Sequence, residues 1–247
     1  VPNKAMHWDD FVDASASEID FVDCNFSDPL YIMYSSGTTG VPKCIVHSVG
    51  GTLLQHNKEH LLHTNVSRDD VLFYYTTCGW MMWNWLVSGL ALGCSVVLYD
   101  GSPFKTPSIL MDMAQNEAVS IFGTSAKYIA ALEKIGQKPI QSHDLRALKS
   151  ILSTGSPLSH ESFDYVYQQV KTDVMLCSIS GGTDIVSCFA LGCPILPVYR
   201  GELQCAGLGM DVQIFNDAGQ SITQLKGELV CASSFPAMPI YFWDDPQ

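Results

Sequence analysis

The sequence predicts an α/β fold in which mostly parallel strands are joined by crossover helices. Short β-prone runs recur along the 247 residues and alternate with helix-forming segments, an order typical of βαβ units. Hydrophobic residues make up 47% of the chain and charged residues 15%, which indicates a sizeable buried core. After residue 195 helical segments become scarce, which predicts the start of a smaller β-rich subdomain.

The β-prone runs and the segments between them predict the order of the elements. The runs are residues 30–34, 71–75, 95–99, 119–122, 150–152, 174–177, 212–215 and 228–231. Helices are predicted over residues 49–63, after the cap-and-proline pair Thr106-Pro107, from Thr124 or Ser125 to Ile135, and from Pro157 to Val170. We therefore expect an α/β core over residues 28–194 and a β-rich subdomain over residues 195–247.

One uncharged stretch, residues 71–99, is long enough to cross a bilayer. It is flanked by Asp69, Asp70 and Asp100 with no basic anchor on the far side, and glycines interrupt it. We interpret it as a buried strand, a turn, a helix and a second buried strand, with a membrane span as the less favoured alternative.

Charge and cysteine content restrict the partners and the compartment. The formal net charge of −12 argues against nucleic acid and anionic membranes as partners. The nine cysteines include no C-x-x-C pair, so a zinc ribbon or a disulfide framework is disfavoured and a reducing compartment, the cytosol, is expected. Because the chain begins with Val1 and stops at Gln247 without a tail, we expect it to be incomplete at both ends.

Residues 34–43 carry the strongest local signal, Tyr-Ser-Ser-Gly-Thr-Thr-Gly-Val-Pro-Lys. Glycines let the backbone curl close to a ligand, while successive N–H groups, hydroxyls and a lysine can surround phosphate oxygens. The loop is not a Walker A loop, because Val41 and Pro42 separate Gly40 from Lys43. Composition alone leaves a flexible hydroxyl-rich loop as an equal alternative.

The order of the string resembles the phosphate-binding loop of the adenylate-forming superfamily, which includes acyl-CoA synthetases, luciferases and peptide-synthetase adenylation domains. Three further segments are similar to motifs of that superfamily and follow in its order: residues 154–157, 180–184 and 226–230. Within the superfamily the chain most resembles the acetoacetyl-CoA synthetases, through residues 47–52, 79–85, 152–158 and 179–184. The resemblance implies the large N-terminal domain of that fold, without its C-terminal lid domain.

The resemblance also implies which ligands and residues form the site. The reaction would join acetoacetate to coenzyme A through an acyl-adenylate, with ATP and Mg²⁺. Its catalytic residues would be Lys43, Thr183 on the α-phosphate and Asp184 on the magnesium ion. The phosphates would be held by the loop residues Ser35, Ser36, Gly37, Thr38, Thr39, Gly40 and Lys43. Adenine would lie against Gly155, Ser156 and Pro157.

The acyl pocket would have Trp80, Met81 and Met82 as one wall, although these residues by themselves suggest ordinary core packing. Gly181 stands where acetyl-CoA synthetases have a tryptophan, which would leave room for acetoacetate, so Gly181→Trp is expected to favour acetate. A tight turn is the alternative role of this glycine. Thr154 is our candidate donor to the keto oxygen, because a closed pocket penalises an unbonded polar group.

The chain departs from the superfamily pattern at two points. Asp184 is one methylene shorter than the usual glutamate, and the aromatic residue that opens this motif is absent. We also expect the ribose-binding aspartate, the hinge and the adenylation lysine to lie outside this chain, so no residue here is assigned to those roles.

Three alternatives stay open. His56-Asn57-Lys58-Glu59-His60 matches the H-x-x-E-H pattern of some zinc proteases, with His63 one turn further, although five residues are weak evidence. Another short-chain acyl-CoA synthetase would share the same motifs. An inactive truncated product would bind nucleotide weakly or merely fold.

Overall fold

The computed structural model describes residues 5–35, 40 and 42–244. The helices are α1 (Trp8–Phe11), α2 (Val49–Lys58) continued by a π-helix (Glu59–His63), α3 (Met81–Ser88) continued by a 3₁₀ turn (Gly89–Leu92), α4 (Ile109–Asn116), α5 (Ala126–Lys134), α6 (Pro139–Ser142), and α7 (His160–Tyr165) continued by a π-helix (Val166–Val170). The strands are β1 (Pro29–Ser35), β2 (Lys43–Ser48), β3 (Val71–Tyr74), β4 (Ser95–Val97), β5 (Ile121–Ser125), β6 (Ser150–Thr154), β7 (Met175–Ser178), β8 (Ser180–Gly182), β9 (Ser187–Leu191), β10 (Cys205–Ala206), β11 (Val212–Phe215), β12 (Ser221–Ile222), β13 (Glu228–Cys231) and β14 (Tyr241–Phe242).

A parallel sheet of five strands forms the centre of the molecule, in the order β4-β3-β5-β6-β7. Side chains alternate across it: Leu72 and Tyr74 pack on one face with α3, while Phe73 packs on the other with α4, α5 and α7. Both faces are therefore buried, which explains the continuous apolar runs in the sequence. The predicted α/β class with crossover helices is confirmed.

Hydroxyl caps set the starts of three helices. Ser125, one of the two caps that the sequence predicts, begins α5 by accepting a hydrogen bond from the Tyr128 N–H at 3.2 Å. Ser48 and Ser159 cap α2 and α7 in the same way. Two predicted starts are wrong by two or three residues, because α4 begins at Ile109 after Thr106-Pro107 and α7 begins at His160 after Pro157.

The first β-prone run lies outside the central sheet. Strands β1 and β2 form an antiparallel hairpin in which Ser35 faces Lys43, and β14 pairs with the other edge of β2. The expectation that this run joins the parallel strands is therefore wrong. Four predicted phosphate-binding residues between the two strands lie outside the described residues: Ser36, Gly37, Thr38 and Thr39.

The rest of the chain is organised around two small antiparallel sheets, with strand orders β10-β9-β8 and β12-β11-β13. The predicted runs 212–215 and 228–231 coincide with β11 and β13. The division at residue 195 stays a prediction, and two strands after it, β10 and β14, pair with strands before it.

The uncharged stretch 71–99 forms β3, a turn, α3 and β4, in the predicted order. The expectation that the second strand is buried is wrong, because β4 lies at the edge of the sheet and is only half-buried. Nowhere in the described part of the chain is a helix both long and apolar enough to span a membrane.

Candidate active site

Three adjoining cavities run along the carboxyl ends of the central strands. The largest measures 610 Å³ and lies between β1, the start of α3 and the residues Thr183 and Asp184. A second cavity of 470 Å³ lies between residues 154–158 and residues 201–203. A smaller cavity of 70 Å³ connects them, since it shares Trp80 and Thr183 with the first, and Gly155 and Gly181 with the second. Ligands of α/β sheets bind at such strand ends.

One end of the large cavity is formed by β1, which leads into the predicted phosphate-binding loop. Ser35, the last residue of β1, lines the cavity. Lys43, the first residue of β2, instead places its ammonium 5.8 Å from the ring centroid of Phe242 on β14, in a cation–π contact. Gly40 has a φ of +152°, a conformation that residues with a Cβ rarely adopt.

The segment that follows β6 borders the 470 Å³ cavity. Gly155, Ser156 and Pro157 all line it, as do Gly201 and Glu202 from the opposite side. Gly155 has a φ of +85°, and an added Cβ would stand 3.8 Å from the Trp80 ring. The positive φ therefore favours glycine here, where the backbone approaches the Trp80 ring.

The 70 Å³ cavity brings together the five residues predicted to bind the acyl group: Trp80, Met81, Met82, Thr154 and Gly181. Met81 and Met82 are buried at the start of α3. The Trp80 ring meets the Tyr74 ring edge-on, with centroids 6.0 Å apart, and Tyr74 donates a hydrogen bond to the Thr124 carbonyl at 3.2 Å. The wall of this cavity is therefore continuous with the core.

Two expectations about this cavity need correction. The Thr154 hydroxyl donates its hydrogen to the Ile179 carbonyl at 3.1 Å, so in this structure its proton is not directed at a keto oxygen. An added Cβ on Gly181 would lie 2.2 Å from the Ser187 carbonyl oxygen on β9, so a side chain there would meet backbone before it filled the cavity. This geometry favours the alternative role of Gly181, in which the backbone itself requires a glycine.

Thr183 and Asp184 begin a turn that joins β8 to β9. Both residues line the large cavity, and the Asp184 carboxylate is exposed to it. Magnesium is usually held by one or two carboxylates together with substrate phosphates and water, so an open carboxylate at this position fits the ion. The turn ends at Val186, which is fully buried with a φ of +46°.

The H-x-x-E-H segment is buried and does not form a metal site. The rings of His56 and His60 lie 6.5 Å apart at 83°, and their Nε2 atoms bond to the carbonyls of Val186 and Trp85. Burial lowers the pKa of His60 to about 3, so its ring is neutral. Across the described ranges no group of three or more His, Cys, Asp or Glu side chains could hold a metal.

Glu59 of that segment instead accepts hydrogen bonds from residues of α3 and β9. Its carboxylate accepts hydrogen bonds from the Trp85 indole at 3.0 Å, from the Ser187 hydroxyl and from the Cys188 N–H at 3.3 Å. Ser187 and Cys188 line the 70 Å³ cavity, and sequence reasoning missed both. Their position directly after the Thr183-Asp184 motif, at the start of a β-prone run, was the available signal.

The chain matches the family model of the AMP-binding enzymes over residues 3–242. The chain belongs to the AMP-binding enzyme family.

Individual relatives narrow the resemblance to one branch. Acetoacetyl-coenzyme A synthetase of Rhizobium meliloti (strain 1021) is 60% identical over 222 residues, which are 90% of this chain and 34% of that protein. Acetoacetyl-CoA synthetase of Gallus gallus is 54% identical over 231 residues, or 93% of this chain and 35% of that protein. The chain thus spans about a third of the length of the relatives it matches.

Solved structures confirm the fold. Acetoacetyl-CoA synthetase from Streptomyces lividans superposes with a TM-score of 0.89 and 44% identity, covering 94% of this chain and 37% of that chain. The anthranilate CoA ligase AuaEII, solved in complex with anthranoyl-AMP, gives a TM-score of 0.80 over 92% of this chain and 43% of its own. At 20% identity the second match shows the fold alone. The resemblance to acetoacetyl-CoA synthetases is confirmed.

Proposed function

We propose that the protein carrying this chain is an acetoacetate–CoA ligase, which converts acetoacetate, ATP and coenzyme A to acetoacetyl-CoA, AMP and pyrophosphate. The observation that carries the proposal is the 70 Å³ cavity, here called the acyl cavity, which lies between two larger cavities. The chain that forms it is 60% identical to an acetoacetyl-CoA synthetase. A cavity of 70 Å³ suits an acid of a few carbon atoms.

We infer a place for each reactant from the three cavities. The adenine ring would lie in the 470 Å³ cavity against Gly155, Ser156 and Pro157. The triphosphate would extend past Thr183 towards Ser35, the intervening loop and Lys43. The acid would occupy the small cavity beside Trp80, with Met81, Met82, Thr154 and Gly181 as its other boundaries.

The chain's contribution to the first step would be positioning and charge neutralisation. A carboxylate oxygen of the acid attacks the α-phosphorus, forming an acyl-adenylate and releasing pyrophosphate. Mg²⁺ offsets the negative charge of the phosphates when it is bound, and Asp184 would help to hold it. Lys43 would add a second positive charge, which requires its ammonium to leave the Phe242 ring.

The second step is attack by the thiol of coenzyme A on the acyl carbonyl, with AMP as the leaving group. Trp80 and Thr183 would keep the acyl carbonyl next to the phosphate, since both border the acyl cavity and the large cleft. We also infer a cytosolic location, because the cysteines are free thiols, as expected in a reducing compartment.

Acid-dependent exchange of labelled pyrophosphate into ATP tests the proposal. The protein that carries this chain is incubated with ATP, Mg²⁺ and either acetoacetate, acetate or no acid. We expect exchange with acetoacetate at a kcat/KM at least tenfold above that with acetate, the discrimination typical of a small apolar pocket. A preference for acetate would mean that the enzyme is another short-chain acyl-CoA synthetase. No exchange with either acid would refute the adenylation chemistry.

A further inference from the structure

The turn that carries Thr183 and Asp184 has an unfavourable backbone conformation at its far end. It is closed by weak hydrogen bonds from the Val186 N–H to the Thr183 carbonyl and from the Ile185 N–H to the Gly182 carbonyl, both 3.3 Å. Val186 is β-branched and takes a φ of +46°, in the left-handed region that such residues avoid. Backbone of this kind persists only when surrounding contacts hold it in place.

Two buried histidines supply contacts at both ends of this turn. The Nε2 of His47 lies 3.0 Å from the Thr183 carbonyl oxygen, and the Nε2 of His56 lies 2.6 Å from the Val186 carbonyl oxygen. A carbonyl only accepts, so each ring donates its N–H through Nε2. Both side chains are fully buried, and burial lowers the pKa of each ring below its usual value. Neutral rings with fixed tautomers are thus expected.

A single stretch of chain presents both histidines. His47 lies four residues after Lys43 on β2, so the two side chains share one face of the strand. His56 lies on α2, which follows β2 directly, and its Nδ1 is within 2.9 Å of the Ser88 hydroxyl at the end of α3. The stretch from Lys43 to His56 therefore connects the predicted phosphate loop, the turn that carries Thr183 and Asp184, and helix α3.

We propose that His47 and His56 are positioning residues that hold the Thr183–Val186 turn, and so set where Thr183 and Asp184 stand relative to the phosphate loop. The proposal rests on the proposed function, because it assigns the two histidines a task in adenylation. They touch neither substrate nor metal in this role. Their two hydrogen bonds offset the unfavourable backbone conformation at the end of the turn.

His63 provides a matched control for ordinary burial. It lies on the same helical stretch, is also buried, and bonds through Nδ1 to the Gly192 carbonyl at 2.7 Å and through Nε2 to the Leu208 N–H at 3.0 Å. Replacing it removes a buried imidazole without removing a contact to the turn. His47→Gln is the conservative variant, because the glutamine amide can donate from a position close to that of Nε2.

Two measurements on the protein that carries this chain test the proposal. The first is amide hydrogen exchange over residues 183–188 in the absence of substrates. We expect exchange there to accelerate at least tenfold in His47→Ala and in His56→Ala, to stay near the parent rate in His63→Ala, and to return towards it in His47→Gln.

The second measurement is the rate of pyrophosphate exchange as a function of Mg²⁺ concentration. We expect His47→Ala and His56→Ala to lower the maximal rate about tenfold or more and to raise the Mg²⁺ concentration needed for half the maximal rate. His63→Ala should keep the parent's Mg²⁺ dependence even if its melting temperature falls.

The outcomes separate the two proposals. Unchanged hydrogen exchange in both alanine variants, or an equal change in His63→Ala, would overturn the positioning role even in an active enzyme. If hydrogen exchange accelerates in both alanine variants but the parent shows no pyrophosphate exchange, the two histidines stabilise the turn and the proposed function is refuted. Accelerated hydrogen exchange with an unaltered rate and Mg²⁺ dependence would overturn the task in adenylation alone.

Discussion

Gly181 and Gly182 are adjacent glycines for which the structure predicts opposite responses to alanine. A Cβ added to Gly181 would lie 2.2 Å from the Ser187 carbonyl oxygen and 2.7 Å from the Cys188 Cα, both backbone atoms of β9. A Cβ added to Gly182 would meet nothing nearer than the Asp184 Oδ2 at 3.7 Å, an ordinary contact. Gly181→Ala therefore perturbs the β8–β9 pairing, whereas Gly182→Ala does not.

The size of the effect follows from the overlap. Relieving it requires a shift of about 1 Å between β8 and β9, and overpacking of this kind typically costs about 1–3 kcal/mol. Gly181→Ala should therefore lower the free energy of unfolding by about 1–3 kcal/mol, which thermal unfolding would register as a lower melting temperature. Gly182→Ala should change stability by less than about 0.5 kcal/mol.

The same shift should reach the acyl cavity. Ser187 and Cys188 line that cavity, and Glu59 holds both through hydrogen bonds. Displacement by about 1 Å can lower a rate by up to about 100-fold. We expect kcat/KM for acetoacetate to fall in Gly181→Ala because β9 is displaced. Gly181→Trp should impair acetate and acetoacetate alike, in place of the switch to acetate that the sequence suggested.

Thermal unfolding and steady-state kinetics of the two alanine variants check this prediction. Gly181→Ala with parent stability and parent kcat/KM would refute the close approach of β8 to β9. A larger loss of stability in Gly182→Ala than in Gly181→Ala would refute the assignment of Gly181 as the glycine that faces the β9 backbone.

Two further predictions concern the nucleotide side of the site, and a third concerns the isolated chain. Lys43→Ala and Gly40→Val should each lower the rate of pyrophosphate exchange about 100-fold. The first variant removes a cation, and the second strains a backbone that has a φ of +152°. An exchange rate equal to the parent's would show that the loop does not bind the phosphates. Asp184→Asn should lower the rate at least tenfold while the melting temperature changes little, because a hard anionic ligand is lost from an exposed position; a full rate at low Mg²⁺ would point to another ligand. Residues 1–247 alone should form no acetoacetyl-CoA, because they span about a third of the synthetases they match. Grafting the 222 matching residues into the Rhizobium meliloti synthetase, in place of their counterparts there, should give an active enzyme; turnover by the isolated chain, measured as acetoacetyl-CoA formed, would contradict this.

The parts of the fold that depend on local patterns could be predicted from the sequence. Short apolar runs in β3, β5, β6 and β7 are recognisable because strands buried on both faces carry adjacent, not alternating, apolar residues. The Ser125 cap is recognisable because a hydroxyl before a helix satisfies a free N–H. Neither feature requires knowledge of what the chain contacts elsewhere.

Features that depend on distant contacts could not be predicted. The antiparallel pairing of β1 with β2 and of β2 with β14 joins segments whose sequences carry no sign of their partner. The π-helix Glu59–His63 follows α2 where Glu59 bonds to residues about 130 positions later, and no local period indicates it.

The candidate site shows the same division. Motif strings placed Trp80, Met81 and Met82 beside one cavity, and the structure brings them together there. The directions of single groups were not accessible from the strings. The Thr154 hydroxyl turns to the Ile179 carbonyl, and the missing Cβ of Gly181 faces β9, because backbone geometry sets both.

The transfer of oxygen from the acid to AMP tests the central claim most directly. Acetoacetate labelled with ¹⁸O in its carboxylate is incubated with ATP, Mg²⁺, coenzyme A and the protein that carries this chain, and the AMP formed is analysed by mass spectrometry. Attack of the carboxylate on the α-phosphorus, followed by thiol attack on the acyl carbon, leaves one carboxylate oxygen on the phosphate. We predict AMP carrying one ¹⁸O atom for each acetoacetyl-CoA formed; unlabelled AMP, or ADP and phosphate as the nucleotide products, would contradict activation through an acyl-adenylate.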